Sequence, residues 1–466
     1  MWKNFKKKFI GDRNFYRYIL LLALPMIAQN AITSFVSFLD NIMVGKIGTE
    51  QMSGVAIVNQ LIFVFNITIF GAVSGAGIFG TQFYGKGDYK GQKYAFRYKM
   101  YATIIITTIA VLLFKFAGTE LINLYLAESQ DVGDIELALK YGEEYLGIMT
   151  IGLIPFAIGQ TYINSIRETG HTFIPMVAGV AAMLTNLVLD IVLIFGIEGY
   201  IPAMGVKGAA IATVISRFIE FFIVIVWTHT HTEKNQYIKG AYSGLRIPGN
   251  IFKDIFIKGT PLMINELLWA GGVAVIAQCY AVRGINVVAA QNISSTVTNL
   301  FNVVFVQLGS CIAIVVGQRL GAGLIDEARD AARKMIFFSV ICCVGIAAIM
   351  IIVGRYFPNI YETEESIKEL ARTFIVISAL IMPVSAFCHG CYFTLRSGGK
   401  TIITFIFDSV FMWGLVIPLA TILAKHTTLG IAVVFLLVQC MEIIKSIIGF
   451  FMVKSGVWLN NIVDDK

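Results

Sequence analysis

The first half of this chain returns in the second. Pro25 recurs as Pro261, 236 residues further on. At the same spacing Gly48 meets Gly284, and Phe65 and Asn66 meet Phe301 and Asn302. Gln82 then meets Gln318, Gly85 meets Gly321 and Gly87 meets Gly323. The matched residues are mostly glycines and amides, which are poor filler for lipid-facing positions, yet they sit in long apolar segments. A duplicated bundle of membrane helices with polar residues buried between the copies is the sequence mark of a secondary transporter.

The apolar segments exclude a water-soluble fold. Of 466 residues, 57% are hydrophobic and 14% charged, against roughly 25% charged in soluble domains. One span needs ~20 mostly apolar residues. About twelve segments qualify, near 16–44, 52–82, 97–117, 136–164, 172–196, 204–228, 251–282, 288–317, 332–356, 368–394, 401–424 and 429–453. A barrel would show ~10-residue alternating strands instead. The expected fold is an all-α membrane protein of about twelve transmembrane helices. They should form two six-helix lobes related by a pseudo-two-fold axis along the membrane normal, because an even number of spans starts both copies on one side. The expected lobes are 1–228 and 251–466, joined by a polar linker over 229–250. The later parts of the copies match at a different spacing, Pro155 with Pro383 and Gly170 with Gly398, which leaves room for different jobs in each lobe.

Loop charge sets the orientation. Lys3, Lys6, Lys7, Lys8 and Arg13 lead the chain, and Lys86, Lys90, Lys93, Arg97 and Lys99 occupy the second loop. The central linker region and the eighth loop are also basic. The intervening loops are acidic or nearly bare: Glu120, Glu128, Asp131, Asp134 and Glu136 fill one, and Glu362, Glu364, Glu365 and Glu369 another. Both termini are therefore expected in the cytoplasm, with the chain in the plasma (inner) membrane. The basic start reads as a leader into a retained helix rather than a signal peptide. The seven cysteines all fall in expected spans, which argues against a disulfide framework. The net charge of +7 is spread along loops and is no nucleic-acid signal.

Ionisable side chains in mid-span are costly, ~2.5–3.5 kcal/mol each, and are functional by default. Asp40, Asp190, Glu266 and Asp408 are the four that stand out. Asn186 and Asp190 are four residues apart and share a helix face. Hard oxygen ligands on one face suit a small cation or a proton relay, and this pair fits either. Gln160 and Asn164 are a second amide pair at the same spacing, suited to interhelical hydrogen bonds or to binding. Gly75, Gly77 and Gly80 spell a dinucleotide pattern with no preceding strand, so they read as close helix packing. Cys388, His389 and Cys391 resemble a metal motif but lack a second ligand pair.

Several motifs together resemble the multidrug and toxic compound extrusion (MATE) family over nearly the whole chain. They are Leu24-Pro25 with Asp40-Asn41 and Val44-Gly45; Gly85-Lys86-Gly87-Asp88; Gly321-Ala322-Gly323; and Asn186 and Asp190 ahead of Phe195-Gly196. Gly205, Gly208-Ala209-Ala210-Ile211-Ala212-Thr213 and Leu395-Arg396-Ser397-Gly398-Gly399-Lys400 complete the set. The resemblance implies a drug exporter, not an enzyme, driven by inward movement of sodium or protons, with no other cofactor. It implies a cation site, for sodium if sodium is the ion, at Asp40, Asn186, Asp190 and Thr213. Glu266 and Asp408, with Gln160 and Asn164, become candidates for substrate binding or proton coupling. Glu266 departs from one common family pattern, which places the acid about a turn further from the proline.

The leading expectation is a monomeric antiporter in the lipid bilayer that exports amphipathic organic cations by alternating access. The alternative is a lipid-linked precursor flippase of the same superfamily. A polyanionic headgroup would call for several cavity cations. The sequence reading finds almost no Lys or Arg in mid-span, with Arg217, Arg283 and Lys445 near ends or lone.

Overall fold

The computed structural model describes residues 2–127, 134–244 and 246–464. Glu128 and Asp131, counted above among the acidic loop residues, lie outside them. Among the described residues twelve helices are long and apolar enough to cross a membrane. The first six are Arg13–Gly45, Thr49–Lys86, Tyr89–Ala127, Ile135–Glu168, Phe173–Phe195 and Val206–Thr230. The second six are Gly249–Ala281, Ile285–Gly321, Ile325–Tyr356, Glu365–Ser397, Thr401–His426 and Ile431–Ser455. The chain is an all-α, multi-pass membrane protein, with six spans in each sequence repeat.

The repeat is visible in the backbone. Pro25, Pro155, Pro261 and Pro383 lie inside the first, fourth, seventh and tenth spans. Each removes one helical hydrogen bond and crowds the carbonyl four residues back, which favours a kink at matched places. Gly87 and Gly323, matched in sequence, follow the second and eighth spans at φ +77° and +76°. A side chain is rarely tolerated at that angle, so glycine ends both helices. Asp134 starts the fourth span by accepting a hydrogen bond from the Leu137 amide at 3.1 Å.

Two features differ from the sequence reading. The third helix begins at Tyr89, so Lys90, Lys93, Arg97 and Lys99 ride on its first turns rather than on a loop. Lys99 is fully buried there and Arg97 nearly so, which is affordable only because both have partners. The eleventh span also widens into two π-helical turns, Ile406–Val410 and Met412–Val416, ahead of Pro418. A proline ring crowds the preceding turn, and a widened turn relieves that clash.

The chain forms two compact units that do not divide at the linker. One comprises Met1–Ile27, Thr81–Asp88 and Phe256–Lys466; the other Ala28–Gly80 and Tyr89–Ile255. The second unit has an apolar core that includes Val58, Ile69, Leu153 and Ala210. A smaller core there joins Phe96, Tyr162 and Ile166 to Tyr237 and Ile238 of the linker. Arg97 fixes that linker: its guanidinium donates to the carbonyls of Gly240, Ala241, Ser243 and Arg246 at 2.7–2.9 Å.

In the first unit the ends of the second and eighth spans cross. Gly85 lies directly on the Gln318 backbone and Gly321 directly on that of Gln82, with no room for a methyl group at either. Since Gln82 matches Gln318 and Gly85 matches Gly321, the contact is reciprocal, as at a two-fold axis. The C-terminal tail seals this crossing. The Gln82 amide donates to the carbonyls of Ser397 at 2.8 Å and Asn460 at 3.2 Å, and its oxygen accepts from the Ile462 amide at 2.8 Å. Lys86 donates to the carbonyls of Val463 and Asp464 at 2.6 and 2.9 Å.

Candidate cation site and charge pairs

The site in the second unit begins with a packing device. Gly208, in the sixth span, presses against the backbone of Leu193 and Ile194 in the fifth, where any added Cβ would collide. Ala209, Ala210 and Ala212 beside it are also buried. This small-residue face lets two backbones approach closely. It brings Asn186 to Thr213, whose hydroxyl lies 3.5 Å from the Asn186 amide nitrogen.

Asp190, one turn beyond Asn186, has no exposed surface. Neither of its carboxylate oxygens has a hydrogen-bond partner among the described residues, and the same holds for Oδ1 of Asp40. The two acids lie within electrostatic reach of each other. Both also act on the phenol of Tyr145, which donates to Asn59 Oδ1 at 3.4 Å. Asn186 and Thr213 are thus in contact, Asp40 and Asp190 lie within electrostatic reach of each other, and Tyr145, which the sequence did not single out, is a neighbour of both acids. A buried, unpartnered carboxylate is expensive. The Asp190 carboxylate with Asp40 Oδ1, beside an amide and a hydroxyl, makes a hard-oxygen set that suits a small cation or a shared proton.

Gln160 and Asn164 stand elsewhere, on the fourth span. Asn164 accepts from Lys99 Nζ at 3.1 Å. Lys99 also bonds the Ser165 hydroxyl at 2.8 Å and Glu168 at 2.5 Å, the last as a salt bridge with side chains 0% and 4% exposed. Gly77 and Gly80 leave room for Glu168 and Asn164, since an added Cβ at either would press on them. Their spacing thus serves helix packing, around a buried ion pair. Gln160, one turn before Asn164, is half-buried.

The first unit holds further charge pairs. Asp408, on the first π-helical turn, accepts from Lys445 at 2.7 Å and from the Asn265 amide at 2.9 Å. Asn265 in turn accepts from Ser409 at 2.6 Å. Glu266 faces Arg396 at 3.6 Å. Cys388 contacts the Ser446 hydroxyl at 3.1 Å, and His389 Nδ1 lies 3.0 Å from the Ser385 carbonyl. The cysteine-histidine stretch is thus engaged with neighbouring helix polar groups.

These pairs correct the reading that mid-span cations are nearly absent. Lys99 was placed on a loop, and Lys445 is not lone. Helix length hid the first, and partners far apart in sequence hid the second. The signal available was the acids themselves, since a buried acid calls for a cation nearby.

A family model described as MatE matches residues 25–192 and 261–422, starting at Pro25 and Pro261, the repeat-matched prolines. The chain is 25% identical over 442 residues to the probable multidrug resistance protein NorM of Thermotoga maritima, covering 94% of this chain and 92% of that protein. It is 24% identical over 402 residues to the multidrug resistance protein PmpM of Pseudomonas aeruginosa, covering 86% and 82%. It also superposes on a solved outward-facing multidrug resistance MATE family transporter of the MOP superfamily, with TM-score 0.83, 18% identity and 96% of each chain covered.

Proposed function

This chain belongs to the MatE family of membrane transporters, and from that we infer that it exports small amphipathic organic cations in exchange for sodium or protons. It acts as a single chain in the plasma (inner) membrane. The observation that carries this reading is the Asp190 carboxylate, wholly buried and unpartnered beside Asp40. An acid left without an internal partner favours a mobile cation, whether a proton or a sodium ion held as cargo. Asp40, Asp190, Asn186 and Thr213 supply the oxygens.

Binding of that ion shifts the balance between two transporter states, and only differential affinity for the states transmits work to the substrate. In the second repeat Glu266 is the acid assigned to cationic substrate or proton coupling. Its guanidinium neighbour at 3.6 Å lies beyond hydrogen-bond length and leaves it open to exchange partners. Asp408 is held by Lys445 and Asn265 and shapes the charge around it. The basic leader and linker support cytoplasmic termini.

The test is efflux of a fluorescent lipophilic cation from proteoliposomes, with sodium and proton gradients imposed separately. One of the two gradients should drive export. Asp190→Asn should reduce the driven component at least ~10-fold while protein level holds. Full gradient-driven efflux in that variant would refute the reading.

A further inference from the structure

The positive charge at the start of the chain belongs neither to the ion site nor to the buried pairs. Lys6, Lys7 and Lys8 lie in the last turn of a short helix, Trp2–Phe9, that precedes the first span. All three are exposed. The helix is seated on the protein. The Phe9 ring packs on Phe337 of the ninth span, with centroids 5.6 Å apart. The turn that follows is pinned, since the Gly11 amide donates to the Tyr16 hydroxyl at 3.1 Å and Asp12 accepts from the Phe15 amide at 2.7 Å. Tyr16 in turn packs on Phe338 at 4.9 Å.

Phe337 fixes the depth of that helix. Arg333 and Lys334 are the last charges of the ninth span before Arg355, and the uncharged run 335–354 between them is just long enough for one crossing. Phe337 therefore lies at the edge of the hydrocarbon, and its contact with Phe9 brings the lysines to headgroup level. Arg333, one turn before Phe337, shares its helix face. Arg13, which is exposed, opens the first span. The acids at the start of the ninth span are already engaged: Asp326 with Arg329 at 3.6 Å, Glu327 with Arg319 at 3.9 Å and Asp330 with Lys334 at 2.5 Å. None of Lys6, Lys7, Lys8, Arg13 and Arg333 has an ion-pair partner among the described residues.

We propose that the Trp2–Phe9 helix and the start of the ninth span form a binding surface for anionic phospholipid headgroups. Exposed ammonium groups act as point charges on phosphate, and a basic helix held beside a span meets lipid phosphates at high local density. Lysines that served only to orient the chain during insertion would give the folded protein no preference for anionic lipid, and the Phe9 contact would be immaterial to it.

The experiment adds dioleoylphosphatidylglycerol, dioleoylphosphatidylcholine or inorganic phosphate to the purified full-length protein in detergent micelles and follows its melting temperature. Phosphatidylglycerol should raise it with a defined midpoint concentration, and the other two should leave it nearly unchanged. The triple variant Lys6→Gln, Lys7→Gln, Lys8→Gln should raise that midpoint at least ~10-fold. The triple variant to Arg keeps the charge and should stay within ~2-fold of wild type. Phe9→Ser keeps every charge but unseats the helix, and should raise the midpoint at least ~3-fold; it also serves if the triple Gln variant does not reach the membrane. Equal stabilisation by the two lipids, an equal shift with inorganic phosphate alone, or an unchanged midpoint in either the triple Gln variant or Phe9→Ser would overturn the proposal. No transport is measured, so the outcome is independent of the ion site.

Discussion

Buried charge is the residue-scale theme, and Lys99 is its clearest case. The side chain is wholly buried and held by Glu168, Ser165 and Asn164. Removing one partner of such a pair leaves a bare buried charge, at a cost of ~3–5 kcal/mol, whereas replacing both with apolar groups of similar size is often neutral. Lys99→Met should therefore lower the melting temperature of the purified protein markedly. The double variant Lys99→Met with Glu168→Leu should recover most of the loss. A single variant as stable as wild type would show that the pair is not under this strain. The contrast with Asp190 is chemical. Glu168 has an internal cation, while neither oxygen of Asp190 has a hydrogen-bond partner among the described residues.

At the scale of elements, the linker is held by a side chain of a span. Arg97 carries four carbonyls of the linker, and bonds from a charged donor contribute ~1.5–3 kcal/mol each. Arg97→Ala should expose residues 235–244 to protease, with a cleavage rate at least ~10-fold faster, since local opening sets that rate. A rate equal to wild type would mean that the buried Tyr237 and Ile238 suffice to hold the linker. The helix crossing gives a second test. At Gly85 and Gly321 an added methyl meets backbone, which cannot swing aside. Gly85→Ala and Gly321→Ala should each destabilise by ~1–3 kcal/mol, and by similar amounts, because the two contacts mirror each other. Thermal melts of the pair would expose an unequal or absent effect.

On the scale of the whole molecule, charge pairing sorts the acids. Lys99 meets Glu168, Arg396 faces Glu266 and Lys445 meets Asp408, while neither oxygen of Asp190 has a hydrogen-bond partner among the described residues. A transporter so arranged should export a lipophilic cation and fail to export an anion of matched size and apolar area. Equal export of both would count against a cation exporter. Much of this was legible in the sequence. Span number, the duplicated plan and the matched prolines and glycines follow from local composition and covalent geometry, which each segment carries alone. The face shared by Asn186 and Asp190 follows from helical periodicity. What the tertiary structure decided is who neutralises whom. Lys445 reaches Asp408 across 37 residues and Lys99 reaches Glu168 across 69, and Tyr145 comes within reach of Asp40 and Asp190 from another helix. Sequence spacing along one helix fixes a direction for each side chain, but the partner it meets is set by how separate helices pack. The cost of burying charge is settled only by that meeting.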